Sequence, residues 1–184
     1  MRYLKQALAA AALTALMAAP MHDAVAQPRG EPAMSTADAS PEHLAAIAAL
    51  IRDEDAAWNK GDAVAFAARA LPGVVFTNIV GMFSVGKPPF EAQHARIFST
   101  IYQGSTLKQA IVHTTFVRPD VAIVDTLTEV SGFHSLPPGS EAVDGVLRTR
   151  LEQVLVRNDG QWWVASFHNV PINPAAAATP PPPR

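Results

Sequence analysis

His94 lies four residues from both Phe90 and Phe98, so an imidazole shares one helical face with two aromatic rings. Imidazole titrates near neutral pH, which suits it to moving a proton at a carbonyl or hydroxyl compound. The segment GQWWVASFHN, residues 160–169, supplies a second candidate. Alternation puts Trp162, Val164, Ser166 and His168 on one face of a strand, and Trp163, Ala165, Phe167 and Asn169 on the other. The first row turns from apolar to polar, the pattern of a sheet passing from packed core into a pocket lining. Asn158-Asp159-Gly160 is the turn before it. Read as a three-residue loop, it pairs Arg157 with Gln161, then Glu152 with Ser166 and Arg150 with His168. The neighbouring row then becomes charged at the same end. A glycine bulge would shift this register by one, bringing Thr149 and Leu151 inward and turning Arg150 outward.

Together these residues compose a site for cofactor-independent proton transfer: isomerisation, elimination or cyclisation. His94 or His168 serves as general base and Arg150 holds an anionic or enolate oxygen. Asn78 ends the Val74, Phe76, Asn78 face and donates a hydrogen bond to that oxygen; it is equally a turn-former at a strand end. Trp58, Met82, Phe90 and Phe98 shape an apolar wall, and Ser166 and Asp125 complete the ligand-binding set. Two other classes compete: a binding or carrier domain that orients its ligand without turning it over, and an interaction module whose interior is filled. A cavity of roughly 300 Å3 or more, with His94 and His168 both lining it, separates these readings.

Other chemistries are set aside on residue types. Gly81 to Pro88 (GMFSVGKP) approaches a phosphate loop, but Pro88 stands where a magnesium-ligating Ser or Thr is required. No G-x-G-x-x-G follows a strand, so no nucleotide cofactor is expected. Cysteine is absent, which excludes thiol chemistry and disulfides. His94, His113, His134 and His168 are scattered without zinc-ligand spacing, so no metal is expected. A formal net charge of -2 favours neither nucleic acid nor an anionic membrane as partner.

These side chains must be positioned by helices followed by strands. Ser40-Pro41-Glu42 starts a helix over 42–60, with Leu44, Ile47, Ile51 and Trp58 on its buried face. Asp62 caps a short helix with Val64 and Phe66 that stops at Leu71-Pro72-Gly73. Short strands at 74–78 and near 82–84 precede a third helix, opened by Lys87-Pro88-Pro89 and continuing its apolar face through Ile97 and Ile101. Strands then fall at about 106–117, 120–131, 146–157 and 161–169, with 132–145 as a loop rich in Gly, Pro and Ser. This order predicts an α+β fold with helices on one face of an antiparallel sheet.

The ends read differently. Arg2 and Lys5, the apolar run 7–19 and Ala24-Val25-Ala26 form a secretory signal peptide over 1–26, cleaved before Gln27, so the protein is expected to be exported, periplasmic or secreted. Residues 27–40 form a flexible leader, 41–173 the domain, and 174–184 a disordered proline-rich tail.

The residues Trp58-Asn59-Lys60-Gly61-Asp62, Asn78 before Gly81, Gly86 ahead of the His94 helix, and VLVRNDGQWWVASFHN resemble the SgcJ/EcaC group. That group belongs to the SnoaL-like, nuclear-transport-factor-two-like (ketosteroid-isomerase-like) superfamily, and the likeness covers roughly residues 42–173. The resemblance implies a cone-shaped curved sheet closed by three N-terminal helices, often dimeric, holding an aromatic or polyketide-like molecule. It also implies a carboxylate base inside the cone, with Asp125 or Glu129 as the candidates. A homodimer is expected too from the second face of the last strand, where Trp163, Ala165 and Phe167 stand beside Leu151 and Leu155.

Overall fold

The computed structural model describes residues 40–177. Helix α1 (Pro41–Asn59) begins where its cap does: the Ser40 hydroxyl accepts from the His43 amide at 3.2 Å. Its buried face centres on Ile47, Leu50, Ile51 and Glu54. Leu44, expected to be buried, falls at the margin of that face and stays 40 % exposed.

The last turn of α1 holds the edge of the sheet. Asn59 brackets Leu107, accepting from its amide at 2.7 Å and donating to its carbonyl at 3.1 Å. Asp55 accepts from the Gln109 amide at 3.1 Å, and the Trp58 indole donates to Ser105 Oγ at 3.0 Å. An edge strand's open backbone groups are thereby paired. Gly61 then reverses the chain at φ 67°, and Asp62 caps α2 (Ala63–Phe66). This helix ends earlier than expected. Leu71-Pro72-Gly73 belong to strand β1 (Ala70–Thr77), and Val64 is exposed.

Strand β2 (Phe83–Val85) pairs with β1, and α3 (Lys87–Phe98) follows at Gly86. The backbone of Gly86 has φ 107°, ψ 149°, a conformation that L residues rarely adopt. A Cβ there would meet nothing closer than 3.6 Å, so the penalty of Gly86→Ala is conformational rather than steric. About 1–3 kcal/mol is expected, read as a fall of several degrees in a thermal melt.

The remaining strands are β3 (Thr106–Arg118), β4 (Val121–Ser131), β5 (Ala142–Val143), β6 (Val146–Asn158) and β7 (Gln161–Pro171). Strand β5 is two residues inside the expected loop, too short to leave a periodic signal. The order is β2-β1-β7-β6-β4-β3, with β5 on β6. The sheet is curved and open, and antiparallel except where β1 runs parallel to β7. Alternate β4 residues Ala122, Val124, Thr126, Thr128 and Val130 are buried on its inner face. An Asn173 side chain caps Pro174–Ala177, a final helical turn (α4) where extended chain was expected. The expected signal peptide, the leader up to Ser40 and the rest of the tail lie outside the described residues.

The last hairpin departs from the expected register twice. Asp159 and Gly160 both have positive φ, 49° and 77°, so Asp-Gly alone forms the turn and Asn158 pairs with Gln161. Ala165 is then an extra residue: Leu155 pairs with Val164, and Val154 with Ser166. Beyond this bulge Glu152 faces His168 and Arg150 faces Val170. Trp162 and Val164 point inward before the bulge, and Phe167 follows them inward after it.

Candidate functional site

Trp162, Phe116 and Leu155 fill one end of the interior, with the His43 ring packed on the two aromatics at 5.7 and 6.2 Å. The other end holds a cavity of about 400 Å3. Its floor is the inner face of the sheet, including Thr128, Thr149, Leu151, Phe167 and Asn169. The α3 residues Gln93, His94, Arg96 and Ile97 form one wall; Met82 and Val80 of the β1–β2 turn, with Leu136-Pro137-Pro138, lie at the rim.

His94 is 3 % exposed and packs against Phe66 and Phe90, each with ring centroids 4.4 Å away. Its Nδ1 lies 2.7 Å from the Phe90 carbonyl oxygen. A carbonyl can only accept, so Nδ1 carries the proton and Nε2 the lone pair. Burial among aromatic rings pulls its pKa from 6.5 to about 4, against the opposing pull of the Phe90 bond. The imidazole is therefore neutral at pH 7 and a weak base.

A second buried titratable group lies beneath the cavity. Glu54 accepts from Gln153 Nε2 at 3.0 and 2.9 Å and from Gln109 Nε2 at 3.2 Å. Desolvation pushes its carboxyl from 4.5 up to about 7 despite those bonds, and Asp55 and Asp53 add to the rise. Gln109 lines the cavity and Glu54 does not, so the carboxyl reaches the ligand space only through that amide. Burial also pushes the Tyr102 phenol up, which keeps its hydroxyl a donor. The Thr128 and Thr149 hydroxyls bond each other, and Asn169 Oδ1 is buried with no partner among the described residues. Asn78 Oδ1 accepts from the Val80 and Met82 amides at 3.1 and 2.9 Å, which leaves its Nδ2 for the cavity.

This fold recurs in solved structures. A protein from Caulobacter vibrioides with a cystatin-like fold is 25 % identical over 74 % of this chain and 94 % of its own, with a TM-score of 0.65. A ketosteroid isomerase-like protein from Erwinia carotovora atroseptica is 23 % identical over 73 % of this chain and 100 % of its own, at 0.58. An NTF-2 like protein of unknown function from Shewanella oneidensis MR-1 is 15 % identical over 70 % and 98 %, at 0.57. The chain has the NTF2-like, cystatin-like fold. No protein-family model and no curated protein matches it.

On this NTF2-like frame, His94, Asn78, Trp58 and Met82 line the cavity. Phe90 is buried behind His94, and Phe98 packs on Trp58 at 4.9 Å outside the lining. The expected meeting of His94 and His168 does not occur, because the Ala165 bulge puts His168 on the exposed outer face. Arg150 is exposed because the two-residue turn moves the β6 register by one, and Thr149 and Leu151 are buried in its place. Ser166 and Asp125 are half-buried on the outer face, and Glu129 pairs there with Arg148 at 2.9 Å. Among the described residues, the cavity lining therefore holds no carboxylate. The Trp163–Phe167 patch is also not formed: Phe167, Leu151 and Leu155 are buried, and Trp163 is half-buried beneath the Arg69 guanidinium at 5.3 Å.

The sequence reading missed Glu54, Tyr102, Gln109 and Asn169. For Glu54 the signal was present: it falls seven residues after Ile47 and three after Ile51, on the buried face of α1.

Proposed function

We propose that this domain binds a small, largely apolar molecule, aromatic or polyketide-like, in the α3-walled cavity. One observation carries the reading: about 400 Å3 of space whose polar lining is mainly neutral amides and hydroxyls, with no carboxylate among the described residues. Such groups orient a ligand; they do not abstract its protons. Kinship with the SgcJ/EcaC group, export from the cytoplasm and a homodimer belong to the same proposal. What supports the dimer is a run of half-buried apolar residues on the outer face, Ile123, Leu127, Val154, Val156 and Trp163. Light scattering that finds only monomer at micromolar concentration removes the dimer and leaves the binding site intact.

Titration calorimetry with 1-naphthol tests the binding. Saturable binding is expected in the native protein, lost when Leu151→Trp fills the floor of the cavity. A native protein that gives no saturable heat ends the reading. Proton transfer is a second reading, favoured by the His94 lone pair at Nε2, which the bond from Nδ1 to the Phe90 carbonyl leaves unprotonated in the cavity lining. It requires α-proton exchange of a bound ketone such as 2-tetralone in heavy water, abolished by His94→Leu.

A further inference from the structure

We infer that the ligand is an apolar acid whose carboxylate is held by Arg96 at the cavity mouth. This rests on the binding reading above and names the class of molecule. Among the described residues, Arg96 is the only one lining the cavity that is charged at neutral pH, since His94 is uncharged. It stands on the last turn of α3, exposed at its solvent side. Its Nη2 donates to Gln93 Oε1 at 2.9 Å, and Gln93 also lines the cavity, so the guanidinium is oriented by a neutral neighbour. The hydroxyls of Ser99 and Thr100 cap the Arg96 carbonyl at 3.0 and 2.7 Å, which occupies a carbonyl that would repel an anion.

Among the described residues Arg96 has no acidic partner; the ion pairs there are Arg118–Asp120 and Arg148–Glu129. A guanidinium carries five N–H donors in a planar fork that matches a carboxylate, and the bond to Gln93 uses one. The apolar part of the acid would lie on Phe167, Leu151 and Ile97. Its charge would remain at the solvent edge, where the desolvation penalty of a buried anion is avoided.

Calorimetry at low ionic strength and pH 7 with 2-naphthylacetic acid and its primary amide separates the outcomes. The native protein is expected to prefer the acid at least ten-fold, and added salt is expected to weaken the acid and not the amide. In Arg96→Gln the preference disappears, through weaker binding of the acid. Equal binding of acid and amide by the native protein overturns this inference alone and leaves the cavity reading standing. Equal weakening of both ligands in Arg96→Gln also overturns it, because the side chain then acts by shape and not by charge. Failure of both compounds to bind removes the cavity reading and this inference with it.

Discussion

Glu54→Gln raises the thermal midpoint at pH 8 by roughly 10 °C and changes it little at pH 4.5. The carboxyl titrates at about 7 in the fold and near 4.5 when unfolded, so the native state holds its proton more tightly. Its contribution is therefore fully present below pH 4.5 and is lost as pH rises through 7, by about 3 kcal/mol. An amide removes the charge and keeps a partner, because Gln153 Oε1 is buried without one among the described residues and can accept from it. His94 works in the opposite sense. Its pKa is lowered to about 4, so its contribution is present above pH 6.5 and is lost as pH falls through 4. Between pH 4.5 and 6.5 the two slopes nearly cancel, and the native protein should show a flat stability profile there. Each single variant unmasks the other group: His94→Leu should lose stability as pH rises across that window, and Glu54→Gln should gain it. Parallel profiles in all three proteins would show that neither group titrates as its surroundings require.

Why these two groups differed in legibility is a matter of local against tertiary signals. Ser40 and Asp62 are caps, and Pro41 and Lys87-Pro88-Pro89 are helix starts; these act within one turn of chain, and the helices begin where such residues stand. The bounds of β3, β4 and β6 likewise follow from turn residues beside them. His94 was visible because its aromatic neighbours sit on its own helix. The burial of Glu54 shows in its spacing on α1, but its partners Gln109 and Gln153 are 55 and 99 residues away, and no local pattern announces them. The hairpin is the intermediate case. Asp159-Gly160 is a strong two-residue turn signal, and giving it full weight would have corrected the register by one. Ala165 carries no signal at all, since alanine is an ordinary strand residue and the bulge follows from pairing with both β1 and β6.

Phe167→Ala and His168→Ala read that bulge directly, because strict alternation and the observed register predict opposite results. Phe167 is 5 % exposed and packs against Phe90 at 5.4 Å, Phe76 at 5.7 Å and both Phe66 and His94 at 6.2 Å. Truncating it removes the ring that joins α2, α3 and β1 to the end of β7, with an expected loss of about 3–5 kcal/mol. The space released adjoins the cavity, because Phe167 already lines it. A bulkier neutral aromatic ligand should therefore restore part of the lost stability by binding the native state. His168 is exposed on the outer face opposite Glu152, and its removal should move stability by no more than about 0.5 kcal/mol. Its removal should also leave the affinity for 1-naphthol unchanged. Denaturant melts of the two variants decide the matter. A sensitive His168 beside a tolerant Phe167 would mean that β7 runs without its extra residue, that the imidazole faces inward after all, and that the cavity floor is built from the other row of side chains.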